Sequence, residues 1–277
     1  MNYIEVEFSI TPFEPWSDVL SAELGEIGFE SFLEEDGKLK AYVEIDTFDE
    51  SKLKKVDSFS NENVSISYEF KELEQQNWNQ QWEQNFSPVF VDDEICVRAT
   101  FHEPAPEFKY QIVIDPKMSF GTGHHSTTHL VLSAMREIDF ENKSVLDMGS
   151  GTGVLAIFAA MKGAKPVYAI DIDEWCSINA KENAERNGVS HIQIYQGSKE
   201  QIADKKVDVL LANINRNILL DQMATYSKAI NYGGELHVSG FYKSDVDVLV
   251  QEAKNNGLKF VKSNSRNDWT TIKFVKV

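Results

Sequence analysis

Cysteine is scarce: Cys96 and Cys176 are the only two in 277 residues. Two thiols cannot build the disulfide framework of a secreted domain, so a reducing cytoplasm is the expected setting. Long apolar runs are missing as well. No stretch approaches the roughly 18–20 residues that cross a bilayer, and no membrane partner is expected. The chain opens on MNYIEVEFSI, where Ile4, Val6, Phe8 and Ile10 alternate with polar residues. That period of two reads as a strand, without the basic stretch that begins a signal peptide. Positive charge is also short, with 27 Lys+Arg against 44 Asp+Glu, a net −17. The deficit is concentrated at the front: residues 1–86 hold 20 acids and 6 bases, and the remaining 191 hold 24 and 21. Such a potential repels phosphate backbones and attracts basic partners. Direct nucleic-acid binding is therefore not expected, and a basic protein fits better.

The patterning predicts two domains. Residues 1–70 alternate strand and helix. SDVLSAELGEIGF places Val19, Leu20, Leu24 and Ile27 at helical spacing behind a Ser17 cap, and KAYVEIDTF and NVSISYEF alternate as strands around the short helix DESKLKKVDSFS. That order fits a small ferredoxin-like α+β unit. Residues 71–87 carry Trp78, Trp82 and Phe86 at i, i+4, i+8, which predicts a linker helix with one aromatic stripe. Residues 88–277 form the second domain. After short strands near EICVRATF and YQIVID, the runs SVLDMG, PVYAIDI, IQIYQG, VDVLLANI and GELHVSG alternate with helical stretches 152–162, 174–187, 217–229 and 243–256. Alternating strands and helices mean a mostly parallel, Rossmann-like sheet covered on both faces, an α/β fold. The closing NDWTTIKFVKV reads as a terminal strand.

SVLDMGSGTGVLAIFAA is a strand, a glycine turn and a helix, the context that gives such a motif meaning. No Gly-Lys-Ser/Thr follows, which excludes a Walker loop. A dinucleotide fingerprint needs its third glycine at the position held by Val154, so Gly149, Gly151 and Gly153 make a poor diphosphate cradle. Asp171 ends the next strand 22 residues past Gly149, where an acid accepts hydrogen bonds from both hydroxyls of a ribose. A nucleoside without a diphosphate on this sheet points to S-adenosyl-L-methionine. Asp173 is the better candidate for plain capping of the helix that follows. Asn213, at the end of LLAN, is placed to meet the methyl-donor end of the cofactor or the acceptor. The following Ile214, Asn215 and Arg216 differ from the Pro-Pro-aromatic clamp of many planar-nitrogen methyltransferases.

The stretch SFGTGHHSTT precedes all of this. His124, His125 and His129 invite a metal reading, but no HExxH pattern and no obvious acidic or thiolate third ligand accompany them, and none is expected. A lid over the cofactor fits better. Its glycines give a flexible backbone, Phe120 can close on the adenine or donor side, and Thr127 and Thr128 can cap the helix or offer hydroxyls to the methionine carboxylate.

DPKMSFGTGHHSTT, VLDMGSGTGVLAIFAA, AIDIDEWCSINAKENAERNGV and LLANI together resemble the bacterial ribosomal protein L eleven (L11) methyltransferases, the PrmA family, over essentially the whole chain. The resemblance implies a ferredoxin-like substrate-recognition domain, a linker helix and a class I methyltransferase domain. It also implies transfer of methyl groups from S-adenosyl-L-methionine to lysine ε-amines and the N-terminal α-amine of L11. On it, Thr128, Gly149, Asp171 and Asn213 match the family's cofactor positions, and Gly151 joins them from the loop reading. Ser198 stands where many methyltransferases carry an Asp for the adenine amino group, which leaves the adenine contact open. No residue declares itself a general base, so the catalytic residues are left unassigned. A monomer is expected. Two alternatives stay open on the residues alone: methylation of a small molecule or RNA base, and a non-catalytic cofactor-binding interaction protein.

Overall fold

The computed structural model describes residues 3–73, 86–115, 117, 119–202 and 204–277. The chain divides into two compact units, Met1–Asn85 and Phe86–Val277. The first runs β1 (Tyr3–Thr11), α1 (Trp16–Glu26), β2 (Ser31–Glu35), β3 (Lys38–Glu44), α2 (Glu50–Leu53), a 3-10 turn (Asp57–Ser60) and β4 (Ser65–Leu73). Its sheet has the order β2-β3-β1-β4 and is antiparallel throughout. Strand alternation aims Ile4, Val6, Phe8, Leu39, Ala41 and Val43 at one face, which Leu20, Leu24 and Leu53 close. This is the ferredoxin-like arrangement.

Three details differ from the sequence reading. β2 was not foreseen: every one of its residues is exposed, so no apolar alternation marks it. The signal was Asp36-Gly37, whose φ values of 53° and 73° make the two-residue turn of a hairpin to β3. Ser17 does not cap α1. It lies inside the first turn and is buried, while Pro15 holds the cap position without a side-chain bond. Residues 71–73, expected to open the linker helix, instead continue β4 opposite Tyr3–Glu5. Residues 74–85 of that expected helix, with Trp78 and Trp82, lie outside the described residues, and Phe86 and Ser87 are not helical.

The second unit begins with a three-stranded sheet of β5 (Val89–Val91), β6 (Ile95–Arg98) and β7 (Tyr110–Val113), then α3 (Ser126–Arg136). There follow β8 (Val145–Met148), α4 (Val154–Met161), β9 (Val167–Asp171), α5 (Glu174–Arg186), β10 (Gln193–Gln196), β11 (Val207–Asn213), α6 (Arg216–Ala229) and β12 (Ile230–Tyr242). The chain ends with α7 (Val246–Asn255), β13 (Leu258–Arg266) and β14 (Trp269–Lys276). Strand order is β10-β9-β8-β11-β12-β14-β13. The first five are parallel, and β14 is antiparallel to both neighbours. Val145, Val209 and Leu211 pack on one face with Met135, Ile157 and Phe158. Leu146, Leu210 and Ala212 pack on the other with Leu219, Met223 and Phe241. β8 and β11 are thus apolar on both sides, as buried parallel strands require. β13 was not foreseen, because this edge strand is almost wholly exposed and shows no period. Between β8 and β11 the strand order reverses. A crevice opens at such a switch point, outside the carboxyl ends of the strands.

Candidate active site

The loop after β8 and the loop before α3 are bound to one another at that crevice. Thr152 N–H donates to Phe120 O (2.9 Å) and Thr152 Oγ1 donates to Gly121 O (2.7 Å). The approach is so close that a Cβ on Gly151 would lie 2.2 Å from Phe120 O, and one on Gly149 2.2 Å from Ile214 Cγ2. Both glycines also hold positive φ, 72° at Gly149 and 53° at Gly151. Side chains at either position would push the turn apart or fill the space in front of it.

That space is a cavity of about 400 Å³, within the range of about 300–1,000 Å³ common for small-molecule sites. Gly149, Gly151, Asp171 and Asn213 line it together, with Phe120, Ile172, Ser198, Ile218 and Gln222 among their neighbours. Asp171 ends β9. Its Oδ2 accepts from Gly151 N–H (2.8 Å) and its Oδ1 from Asp173 N–H (3.0 Å), so the carboxylate is locked in place with lone pairs to spare. Asp173 accepts from Trp175 N–H (2.7 Å) and caps α5, as expected.

Asn213 ends β11. Its Nδ2 donates to Thr128 Oγ1 (3.4 Å), while its buried Oδ1 has no protein partner among the described residues. Thr128 itself is fully buried in α3 and does not line the cavity; it acts on the site through Asn213. The threonines do not cap α3. His125 does, its Nδ1 accepting from Thr127 N–H at 3.3 Å, because the helix starts at Ser126 and the cap position precedes it. His124 turns the other way, with Nε2 2.9 Å from Ser87 O. His129 Nδ1 is buried without a partner among the described residues, and burial keeps its pKa below the ordinary value. No group of three His, Cys, Asp or Glu suited to a metal occurs among the described residues.

The sequence reading passed over five residues. Asp147, an acid inside the otherwise apolar VLDM, is fully buried under the glycine loop. Its Oδ2 accepts from Ala156 N–H (3.1 Å), and burial pushes its pKa up to about 7. Tyr242, at the end of β12, and Trp269, at the start of β14, face each other as the last pair of the β12–β14 pairing, with ring centroids 4.2 Å apart. Trp269 meets His125 at 4.7 Å and His125 meets Phe120 at 5.3 Å, so an aromatic wall runs to the cavity edge. Gln222 and Tyr226, on α6, stand behind Ser198: Tyr226 O–H donates to Gln222 Oε1 (2.7 Å), and Gln222 Nε2 donates to Ser198 Oγ (3.3 Å). Only sheet order and helix placement bring these residues to the site.

The residues fit S-adenosyl-L-methionine. Asp171 suits vicinal ribose hydroxyls, and the two glycines leave backbone open to close approach. Asn213 Oδ1, without a partner among the described residues, offers an acceptor at the β11 side of the cavity. Among the described residues no Lys, Arg or His lines the cavity, whereas two aspartates do, which suits a sulfonium and opposes a diphosphate.

A family model described as ribosomal protein L11 methyltransferase (PrmA) matches residues 19–277. A curated protein of Bacteroides fragilis named ribosomal protein L11 methyltransferase is 46% identical over 279 residues, spanning 99% of this chain and 100% of the relative. One so named from Chlorobaculum tepidum is 33% identical over 278 residues, with 97% and 94% covered. A crystal structure titled ribosomal protein L11 methylase, from Lactobacillus delbrueckii subsp. bulgaricus, is 27% identical with a TM-score of 0.64, covering 69% of this chain and 100% of the other.

Proposed function

The chain belongs to the ribosomal protein L11 methyltransferase family, and from that premise we propose that it methylates the lysine ε-amines and the N-terminal α-amine of ribosomal protein L11. It is an S-adenosyl-L-methionine-dependent protein methyltransferase. When bound, the cofactor supplies a methyl group activated on a sulfonium. Asp171 would hold its ribose, the Gly149 and Gly151 backbone its amino-acid portion, and Asn213 would face its donor end, with Thr128 behind Asn213.

The observation that carries the reading is Asn213, whose amide nitrogen donates to Thr128 while its carbonyl oxygen is buried with no partner among the described residues. A buried carbonyl without a donor is costly, by about 1–3 kcal/mol, and an acceptor amine relieves it. By accepting one N–H, Asn213 Oδ1 fixes the direction of the amine's lone pair, a positioning role. The aromatic wall of Phe120, His125, Trp269 and Tyr242 packs along the methylenes of the acceptor and keeps water out. The amine must be neutral to attack, and lysine's ordinary pKa is about 10.4. Burial against these rings favours the neutral form. Asn213 orients the amine without taking its proton, and the catalytic base stays unassigned.

The first unit serves as the recognition domain, the stretch between β4 and β5 as the linker, and residues 88–277 as the catalytic domain. The excess of acids over residues 1–86 favours a basic cargo and disfavours nucleic acid. On the solvent face of the first sheet Lys71 is spent on Glu5 (2.8 Å), and Lys38 and Lys40 on Glu7 and Glu35. No helix among the described residues is long and apolar enough to cross a membrane. The protein acts in the cytoplasm, as a monomer. Peptide mapping of L11 incubated with the purified enzyme and cofactor tests the reading: methyl groups on amines alone support it, and methylation elsewhere or none overturns it.

A further inference from the structure

The stretch before α3 is fastened at both ends and latched in the middle. Its root is bound to α5 by two asparagines one turn apart. Asn187 Oδ1 accepts from Val113 N–H (2.8 Å) and its Nδ2 donates to Val113 O (2.7 Å), while Asn183 Oδ1 accepts from Asp115 N–H (2.9 Å). Side-chain amides thus give this segment the backbone partners that a neighbouring strand would. At the other end His125 caps α3, and His124 reaches Ser87 O. Between these anchors lie Phe120, which is 55% exposed and lines the cavity, and Gly121, with a φ of 104°. Both of their carbonyls are held by Thr152, one through its N–H and the other through its hydroxyl.

Thr152 is itself held from behind. It is fully buried, as is Asn183, and neither lines the cavity. Asn183 Nδ2 donates to Thr152 O (3.0 Å), which anchors the residue on its α5 side while its N–H and hydroxyl are spent on Phe120 and Gly121. A Cβ on Gly121 would lie 2.8 Å from Thr152 Oγ1, so this close approach is left to glycine. The preceding N–H, that of Gly151, is on Asp171 Oδ2. One turn of chain therefore joins the acid of the ribose site to the segment that carries Phe120. With no surface on the cavity, Thr152 cannot grip the cofactor. It can only hold Phe120 at the crevice or let it go.

We propose that Thr152 is the latch of a lid formed by residues 119–125, that its release sets the rate of cofactor entry and product exit, and that Asn183 positions Thr152. The proposal rests on the cofactor assignment above and adds how the cavity opens. The probe is S-adenosyl-L-homocysteine, whose association and dissociation rates are measured by stopped flow on the wild type, Thr152→Val, Thr152→Ser and Asn183→Leu. Valine keeps the shape and the N–H of Thr152 but loses the bond to Gly121 O. One net hydrogen bond is worth about two- to ten-fold in an opening equilibrium. Thr152→Val should therefore raise association and dissociation alike by about that factor, and leave Kd close to the wild-type value. Thr152→Ser keeps the hydroxyl and should keep both rates, and Asn183→Leu should raise both. A residue that merely shapes the site would change dissociation and affinity together without speeding association. Any other pattern in Thr152→Val, such as faster dissociation with unchanged association, overturns the proposal, as does Thr152→Ser behaving like Thr152→Val. Thr152→Val, nearly isosteric with the native side chain, decides the matter even where Asn183→Leu fails to fold. Failure of the wild type to bind the probe would instead overturn the cofactor assignment.

Discussion

Replacing Gly149 by alanine separates two kinds of obstacle at the crevice. The new Cβ would lie 2.2 Å from Ile214 Cγ2, and the residue keeps a φ of 72°. The left-handed backbone costs alanine about 1–2 kcal/mol, and the overlap adds about 1–3 kcal/mol of overpacking. Gly149→Ala should therefore lose about 2–5 kcal/mol, a fall in melting temperature of roughly 4–20 °C for a domain of this size. The overlapping atom belongs to a side chain, so it can be removed. In Gly149→Ala/Ile214→Ala the overlap is gone while the backbone cost stays, and the double-mutant cycle should show a favourable coupling of about 1–3 kcal/mol. Gly151→Ala is the contrast. Its Cβ would lie 2.2 Å from Phe120 O, a backbone atom that no substitution deletes, so Phe120→Ala should not rescue it. Thermal unfolding of the wild type and the six variants, with S-adenosyl-L-homocysteine binding alongside, gives both cycles. Strictly additive losses for Gly149 and Ile214, or rescue of Gly151→Ala by Phe120→Ala, would refute the reasoning.

Three other perturbations have definite expected outcomes. Asn213→Ala should lower turnover by about 100-fold through loss of amine alignment, with S-adenosyl-L-homocysteine affinity changed only a few-fold; equal losses in both would contradict the positioning role. Asp171→Asn should weaken S-adenosyl-L-homocysteine binding by about 10- to 100-fold, as expected for charge-assisted hydrogen bonds, and calorimetry showing wild-type affinity would remove Asp171 from the ribose site. Away from the cavity, Glu235 accepts from buried His237 Nε2 (2.9 Å) and pairs with Lys273 (2.8 Å), contacts that hold its pKa down at about 2 against an ordinary 4.5. A lowered acid pKa stabilises the fold fully above pH 4.5 and loses that contribution as pH falls toward 2. Urea unfolding should accordingly show Glu235→Gln less stable than wild type by about 2–3 kcal/mol at pH 7, with the gap closing between pH 4.5 and 2; a gap that stays constant to pH 3 would be the contrary result.

The sheet and its glycine loop were legible because their signals are local. Apolar runs alternating with helical stretches announce a parallel sheet, and the strand–turn–helix context of GSGTG singles out Gly149 and Gly151. The acid at the end of the second strand needs only a count along the chain. Other parts of the site were hidden because they depend on topology. Trp269 reaches His125 only because β14 inserts beside β12, far from where the chain order would put it. Gln222 and Tyr226 read as ordinary positions on α6 until the helix is laid against the loop after β10. Edge strands β2 and β13 escaped for another reason: with both faces in solvent they carry no alternation. His125 taking the cap expected of the threonines is a matter of one residue of register.

On the proposed function, the cavity holds a methyl donor whose methyl group passes to amines of one basic ribosomal protein. Radiolabelled S-adenosyl-L-methionine, the purified enzyme and an undermethylated ribosomal extract, separated into protein, RNA and small-molecule fractions, test it most directly. Label confined to the amines of ribosomal protein L11 is the predicted result. Label in RNA or in small molecules would contradict it, leaving the fold and the glycine-loop geometry standing but not the acceptor.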